Sequence, residues 1–252
     1  MRAAAERGCG CIRVFQLDDR KTVFPAPHLA ESDGLLAVGG DLSPERLLCA
    51  YANGIFPWYS EGAPILWWSP DPRMVLFPDE FHVSRRLNRR RKAGVFKVDV
   101  DTAFRQVLEG CRTARGPHRD GTWITPEMLD AYTRLHELGY AHSFESWREG
   151  KLAGGLYGVS LGGCFFGESM FSAEPDASKV ALCVLVDCAR SMNLVFIDCQ
   201  VANDHLRRLG AREIPRTRFL KLLDRALAHP TRQGSWKDLA LLEGRKRADL
   251  PF

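Results

Sequence analysis

The stretch LVFIDCQVANDHLRRLGAREIP, residues 194–215, decides the fold of the chain around it. Its first four residues are apolar and rich in β-branched and aromatic side chains, which is typical of a strand buried on both faces. Asp198, Cys199 and Gln200 follow where this strand is predicted to end. Because side chains alternate along a strand, Asp198 and Gln200 are predicted to point to the same side.

The second half of the stretch predicts a short helix. Asn203 or Asp204 can cap this helix, and Gly210 can end it in the left-handed conformation that glycine tolerates. Ligands usually bind at the carboxyl ends of strands in sheets with such helices, so Asp198 and Gln200 are candidates for chemistry. The alternative is that Asp198 caps a turn and Gln200 is a surface amide.

Helices and strands alternate in the rest of the chain, which predicts a fold that contains both. Turn signals separate three predicted strands that form a meander, at residues 141–145, 152–159 and 163–168. Apolar periodicity and capping residues predict helices at residues 43–51, 101–111, 125–138 and 179–190. Ser43 followed by Pro44 is the clearest of these helix starts.

The composition is that of an ordinary globular protein. The chain has 252 residues, 45% of them hydrophobic and 26% charged, which suits one large domain or two smaller ones. It contains no apolar run of the ~20 residues needed to span a bilayer, and its N-terminus lacks a secretory apolar core. We therefore expect a cytoplasmic protein without a membrane partner.

The eight cysteines include no CxxC pair, and most lie in apolar runs. They are predicted to be buried, reduced thiols. Cys9 and Cys11 could bind a soft metal, but no second pair of ligands follows them at the right spacing. No metal is expected.

Aromatic residues are concentrated near the N-terminus. Trp58, Trp67 and Trp68, three of the six tryptophans, lie within eleven residues. Such a cluster can be plain core, or it can form the wall of an apolar pocket or stack on a base. The sequence leaves these possibilities open.

A block of positive charge follows, in the run SRRLNRRRKAGVFK at residues 84–97. It contains no acid and seven cations, which are Arg85, Arg86, Arg89, Arg90, Arg91, Lys92 and Lys97. A solvated helix usually mixes charges of both signs, so this block favours an anionic partner such as the phosphates of a nucleic acid. A harmless surface helix is the alternative.

Two acids lie at predicted strand ends without a cation nearby in sequence. These are Glu168 and Asp198. If both line one cleft, they suit a cationic substrate, and a carboxylate there could orient an amine or accept its proton. Structural ion pairs with the many arginines are the alternative.

Several blocks of the sequence together resemble one family. They are DGLLAVGGDL (33–42), GIFPW (54–58), WWSPDPR (67–73), GTWIT (121–125), GESMFS (167–172) and IDCQ (197–200). These blocks resemble the leucyl/phenylalanyl-tRNA–protein transferases, and the resemblance spans residues 15–223. Members of this family are bacterial cytosolic enzymes that move Leu or Phe, and Met more weakly, from aminoacyl-tRNA to proteins beginning with Arg or Lys. The transfer marks the acceptor for degradation through the N-end rule.

The resemblance also implies an architecture of the α+β class. A small N-terminal α+β domain (12–74) is expected before a mixed-sheet catalytic domain with flanking helices (75–228), similar to the N-acetyltransferase (GNAT) fold. Residues 1–11 and 229–252 are expected to be flexible ends, and the protein is expected to be a monomer. The Q/R-x-x-G-x-G/A loop that grips the pyrophosphate of coenzyme A is absent, so no cofactor is expected.

The resemblance implies roles for particular residues. Asp198 and Gln200 match the catalytic pair, Asp198 holding the N-terminal residue of the acceptor and the Gln200 carbonyl drawing a proton from its amine. Glu168 matches an acid of the acceptor site. The remaining matches are with the donor pocket (Trp58, Trp123, Tyr132, Leu156 and Leu185) and the tRNA surface (Arg85, Arg86, Arg89, Arg90, Arg91 and Lys92). Family members can carry Met and Phe at the positions of Leu156 and Leu185.

Two other classes of function compete with this interpretation. A small-molecule N-acyltransferase that uses coenzyme A would share the fold, but it needs the missing phosphate loop. A non-catalytic RNA-binding module would account for the basic block and the tryptophans, but it leaves Glu168, Asp198 and Gln200 without a role.

Overall fold

The computed structural model describes residues 14–18, 20–114 and 124–239. These residues form a mixed α/β structure, which confirms the predicted α+β class at that level. The strands are β1 (Phe15–Leu17), β2 (Leu35–Gly39), β3 (Phe56–Pro57), β4 (Leu66–Trp68), β5 (Arg73–Leu76), β6 (Lys97–Val100), β7 (Ala141–Arg148), β8 (Lys151–Leu161), β9 (Cys164–Ser172), β10 (Phe196–Gln200) and β11 (Arg212–Ile214). The helices are α1 (Pro44–Ala52), α2 (Arg85–Lys92), α3 (Phe104–Thr113), α4 (Pro126–Glu137), α5 (Ala177–Ser191), α6 (Asp204–Arg207) and α7 (Arg216–Leu227).

The strands form two sheets. The smaller has the order β1-β2-β4-β3, and the larger has the order β11-β5-β10-β9-β8-β7-β6. Strands β7, β8 and β9 form the predicted antiparallel meander. Strand β10 then returns beside β9 in parallel, after the α5 crossover. The larger sheet is therefore mixed, with one parallel pair near its centre.

The parallel pair is joined only along a short length. Three residue pairs, from Phe196 opposite Cys164 to Asp198 opposite Phe166, hold β10 to β9. Strand β9 then continues to Ser172, while β10 ends at Gln200. Beyond these pairs the two neighbouring strands separate, which leaves a gap in the middle of the sheet.

Helices cover both faces of the larger sheet. Phe166 belongs to a hydrophobic cluster with side chains from α1, α3, α4 and α7. Its neighbour Phe165 belongs to a second cluster, with side chains from α2 and α5. Successive side chains of β9 thus enter different cores, as the alternation along a strand requires. Among the described residues no helix is long and apolar enough to span a membrane.

The ends of the helices follow the capping residues in the sequence. Ser43 accepts a hydrogen bond from the N–H of Arg46 at the start of α1, and Asn203 accepts one from the N–H of His205 at the start of α6. Gly210 has a φ of +101°, which confirms the predicted stop after α6. Caps of this kind satisfy backbone donors that have no partner inside the helix.

The expected division at residues 74 and 75 falls inside β5 of the larger sheet. One hydrophobic cluster joins the two sides of this division, since Tyr51 and Tyr132 both belong to it. The C-terminal end differs from the prediction that residues 229–252 are flexible. Trp236 is fully buried in the second cluster and its backbone N–H donates to Asp101, so the chain is held to the core at Trp236, while most of residues 229–239 are exposed. Residues 1–13 and 240–252 lie outside the described chain.

Candidate active site

A cavity of about 430 Å³ lies at the point where β9 and β10 separate. Residues 167–170 of β9 and residues 199–203 line it. Apolar side chains form much of the rest of its wall, including the predicted pocket residues Leu156 from β8 and Leu185 from α5. An apolar wall with a few polar groups is typical of a small-molecule site.

The predicted Trp58 also lines the cavity and is 43% exposed. Its ring lies 5.9 Å from that of Trp68, and its backbone carbonyl accepts a hydrogen bond from the Trp68 indole N–H at 2.7 Å. Trp67 is instead fully buried and donates to the Gly39 carbonyl. The aromatic cluster is therefore partly cavity wall and partly core. Trp123, another predicted pocket residue, lies outside the described residues.

Gln200 is held by both its backbone and its side chain. Its φ is +62°, an uncommon value for a residue other than glycine, and the register of β10 against β5 shifts between Asp198 and Gln200. Its N–H donates to Asp198 Oδ1 at 2.9 Å, and its side-chain Nε2 donates to Glu168 Oε1 at 2.8 Å. The amide oxygen accepts no hydrogen bond from the described residues, so it is available to a ligand in the cavity.

Asp198 does not line the cavity. It is fully buried, and it accepts hydrogen bonds from Arg73, at 2.9 Å from Nε to Oδ1 and 2.7 Å from Nη2 to Oδ2. The sequence predicted that Asp198 and Gln200 share one side of the strand, and the structure separates them. The reason is the bulge, which adds a residue to β10 and turns Gln200 toward the cavity.

Glu168 accepts three hydrogen bonds and has no cationic partner among the described residues. Tyr51 donates to Oε1 at 2.8 Å, Tyr132 donates to Oε2 at 3.1 Å, and Gln200 Nε2 donates to Oε1. Burial raises the pKa of Glu168 to about 7, and Asp198 adds to the rise, while these three donors oppose it. The carboxyl group therefore binds a proton more readily than an ordinary glutamate does.

Tyr132 was predicted beside the donor amino acid and adenosine. The structure buries it fully on α4, behind Glu168 rather than in the cavity wall. Its hydroxyl also forms a hydrogen bond with that of Tyr51, which comes from α1. Burial is the largest cause of a raised pKa for both tyrosines, so both hydroxyls keep their protons at neutral pH.

The predicted tRNA-binding residues form helix α2. Three of them pair with acids at α5, as Arg86 and Arg90 contact Asp176 and Arg91 contacts Asp187. The remaining three are exposed and have no acid partner among the described residues, namely Arg85, Arg89 and Lys92. The sequence block looked free of acids because its partners lie about ninety residues further along the chain.

The sequence did not point to Arg73, Tyr51 or His205 as parts of a site. Arg73 binds Asp198 and Tyr51 binds Glu168 from distant segments, so no local pattern could have marked them. Glu168 was predicted at a strand end, but it lies inside β9, which continues to Ser172. His205 lines the cavity, and burial together with Lys179 and Arg208 lowers its pKa, so the imidazole is neutral at pH 7. Cys199 also lines the cavity. Burial and Asp198 raise its pKa, so the thiol is not ionised.

Comparison with known proteins adds an independent finding. Residues 75–224 match the family described as leucyl/phenylalanyl-tRNA protein transferase, and residues 40–71 match the N-terminal domain of that transferase. A leucyl/phenylalanyl-tRNA–protein transferase from Anaeromyxobacter sp. (strain Fw109-5) is 61% identical over 86% of this chain and 92% of its own length. One from Myxococcus xanthus (strain DK1622) is 56% identical over 88% of this chain and 94% of its own.

Among solved structures, the chain is similar to L-PGS from Bacillus licheniformis. The TM-score is 0.37 with 13% sequence identity, and the match covers 67% of this chain and 54% of that one. A likeness of this size carries no argument about fold or function.

Proposed function

The chain belongs to the leucyl/phenylalanyl-tRNA–protein transferase family, and from this premise we propose its substrates and mechanism. The donor is aminoacyl-tRNA carrying Leu or Phe, and Met more weakly. The acceptor is the N-terminal α-amine of a protein that begins with Arg or Lys. The product is marked for degradation through the N-end rule, in the cytoplasm, by an enzyme that acts as a monomer.

The apolar cavity supports this choice of donor. Leu156, Leu182 and Leu185 line it together with Met170 and Ile197, so a branched or aromatic side chain would bury its surface there. Apolar pockets discriminate by only about 1–3 kcal/mol per methylene, so several apolar donors should be accepted to differing degrees. Trp58, which is partly exposed at the cavity, is a surface on which the terminal adenosine can stack.

Gln200 is the residue that we place at the chemical step. The acceptor amine attacks the ester carbonyl, the bond to the ribose oxygen of the terminal adenosine breaks, and the proton lost by the amine ends on that oxygen. The available amide oxygen of Gln200 can accept a hydrogen bond from the amine and draw its proton away during attack. Much of the rate would come from holding amine and ester together.

Glu168 supports the preference for Arg or Lys at the acceptor. It lines the cavity and lacks a cationic partner among the described residues, so its carboxylate can pair with the cationic side chain of an acceptor. Asp198 has a different role from the one suggested by the resemblance. Because Arg73 occupies both of its oxygens, Asp198 acts as a positioning residue that holds the backbone of Gln200.

The tRNA would lie over helix α2. Arg85, Arg89 and Lys92 are exposed cations on one short helix, and Ser84 caps that helix. Arg86, Arg90 and Arg91 form ion pairs with Asp176 and Asp187, so we assign them a smaller part in binding.

We further propose that the larger sheet is of the N-acetyltransferase kind, which the separation of its parallel strands β9 and β10 supports. We also propose that coenzyme A is not used.

One observation carries the proposal: an available amide oxygen, on Gln200, lies in an apolar cavity of a chain from this family. The test is transfer of labelled Leu from Leu-tRNA to a peptide that begins with Arg, without coenzyme A. The same peptide beginning with Ala is the control. Label on the Arg peptide alone is the expected result. Label on neither peptide, with folded protein and intact Leu-tRNA, contradicts the proposal and favours an RNA-binding module.

A further inference from the structure

Two buried tyrosines meet behind the cavity wall. Tyr51 and Tyr132 reach Glu168 from different helices, α1 and α4, and neither is exposed at all. Their hydroxyls form hydrogen bonds with Glu168 and with each other. The three groups thus form a closed triangle of oxygen–oxygen contacts, which neither substrate can reach because no corner other than Glu168 lines the cavity.

The triangle has more contacts than two hydroxyls can satisfy. Each hydrogen bond between oxygens needs one proton, so three contacts need three. When Glu168 is ionised, both tyrosine protons go to its carboxylate and the two hydroxyl oxygens face each other without a proton between them. When Glu168 is protonated, all three contacts are satisfied in a ring. Its pKa of about 7 is consistent with such a third proton.

The triangle determines which end of the Gln200 amide faces the cavity. Glu168 Oε1 accepts from Tyr51 and from Gln200 Nε2, both at 2.8 Å. As long as this oxygen remains an acceptor, the amide nitrogen of Gln200 stays on the side of Glu168. The amide oxygen then stays on the side of the cavity. A Glu168 side chain that could rotate would let the amide turn over.

We infer that Tyr51 and Tyr132 are positioning residues, which hold Glu168 so that the Gln200 amide keeps its oxygen turned to the reacting amine. They act through Glu168 and touch no substrate. This inference rests on the proposed function, since it names what aligns the group placed at the chemical step. Arg73 and Asp198 hold the backbone of Gln200, and the tyrosines hold its side chain.

The test is the steady-state kinetics of Leu transfer to the Arg peptide for Tyr51→Phe and Tyr132→Phe. Each change removes one hydroxyl and keeps the ring. We expect kcat to fall by about 10- to 100-fold in each variant, the loss typical of misaligned groups, with KM for both substrates changed by less than about threefold. Tyr59→Phe is the matched control. Its hydroxyl contacts Thr125 at 3.3 Å outside the cavity, and kcat should be unchanged.

Loss of a buried hydroxyl can destabilise the fold, so Glu168→Gln gives a second measurement. A glutamine amide offers a donor and an acceptor without charge, as a protonated carboxyl does. We expect Glu168→Gln to lose less kcat than Glu168→Ala, because the glutamine keeps an acceptor for the Gln200 amide, whereas Glu168→Ala should lose kcat at least to the extent of the tyrosine variants. The KM for the Arg peptide should rise in Glu168→Gln, because the charge of the carboxylate is removed.

The outcomes distinguish a failure of the inference about Tyr51 and Tyr132 from a failure of the proposed function. Transfer by the wild type with unchanged kcat in folded Tyr51→Phe and Tyr132→Phe overturns the inference alone. So does a kcat in Glu168→Gln as low as that in Glu168→Ala. No transfer by the wild type overturns the proposed function, and the inference with it.

Discussion

Two glutamates in this protein have similarly raised pKa values and different surroundings. Burial raises the pKa of both Glu168 and Glu145 to about 7, and both accept hydrogen bonds from hydroxyl groups. Glu168 lines the cavity, whereas Glu145 on β7 is completely buried. Its oxygens accept from the hydroxyls of Thr102 and Ser143 and from the N–H groups of Thr102 and Ala103.

The difference lies in the strands. Strand β7 pairs with β8 along its whole length, so Glu145 faces a sealed interior. Strand β9 pairs with β10 for only three residues, and Glu168 comes two residues after the last pair. A raised pKa therefore marks a buried carboxyl in both places, and only the gap between strands makes one of them accessible to a ligand.

The two buried aspartates differ in what each holds in place. Asp198 pairs with Arg73 and holds the bulge that presents Gln200. Asp101 pairs with His142 at 2.9 Å and accepts the N–H of Trp236 at 2.7 Å, which anchors the C-terminal segment. Asp198 thus holds a residue of the cavity wall, and Asp101 holds the C-terminal segment.

The largest effect is expected from Arg73→Met. It leaves Asp198 buried without its partner, which should lower the free energy of unfolding by about 3–5 kcal/mol. Turnover should also fall, because the bulge at Gln200 loses its support. The double variant Arg73→Met with Asp198→Leu should regain much of the stability in urea unfolding without regaining transfer. Recovery of transfer in the double variant would show that Asp198 does not place Gln200.

Trp236→Ala tests the packing of the C-terminal segment around Asp101 and His142. The side chain is fully buried and stacks on His142 at 3.9 Å between ring centroids, so removal should cost about 3–5 kcal/mol in the free energy of unfolding. We expect kcat of the folded fraction to be unchanged. Trp58→Ala is the matched comparison, with a small loss of stability and a large loss of transfer. Equal stability of the two variants in thermal unfolding would contradict the packing of the C-terminal segment.

Glu145→Gln tests the acidity of the sealed carboxyl. Its pKa is raised from 4.5 in an ordinary setting to about 7, so the folded protein keeps a proton that the unfolded chain loses in this range. This group therefore lowers the free energy of unfolding as pH rises from about 4.5 to 7, by about 3 kcal/mol at most.

The measurement is urea unfolding of wild type and Glu145→Gln at pH 5 and pH 8. We expect the variant to gain stability relative to the wild type between the two pH values, with kcat unaffected. A difference that stays constant with pH would mean that Glu145 ionises in its ordinary range.

The smallest effect on stability is expected from changes to the exposed cations of helix α2. Arg89→Glu with Lys92→Glu should weaken tRNA binding and reduce the slope of log K against log salt by about 0.9 for each phosphate that the helix no longer neutralises. Arg134→Glu is the control, since Arg134 is an exposed cation on α4 paired with Glu137. An unchanged salt slope in the double variant would place the tRNA on another surface.

Much of the fold was predictable from local sequence. The meander of β7 to β9, the helix starts at Ser43 and Thr125 and the stop at Gly210 follow from patterns within a few residues. Leu156, Leu185, Glu168 and Gln200 were predicted from resemblance, and all four line the cavity. Alternation along a strand failed at Asp198 because a bulge in β10 depends on its partner β5, which the stretch itself does not contain.

The amino-acid sequence by itself located several helices and the strands of the meander, because capping, turn and apolar patterns act between near neighbours. It did not give all of their ends, since β9 runs to Ser172 and α3 begins at Phe104. Only the tertiary structure decided which groups donate hydrogen bonds to Asp198 and Glu168. Arg73 reaches Asp198 across 125 residues of sequence, and Tyr51 reaches Glu168 across 117. The gap between β9 and β10 and the burial of Trp236 likewise depend on segments that are far apart in the sequence. A buried carboxyl needs partners wherever the fold brings them, and no local pattern records that choice.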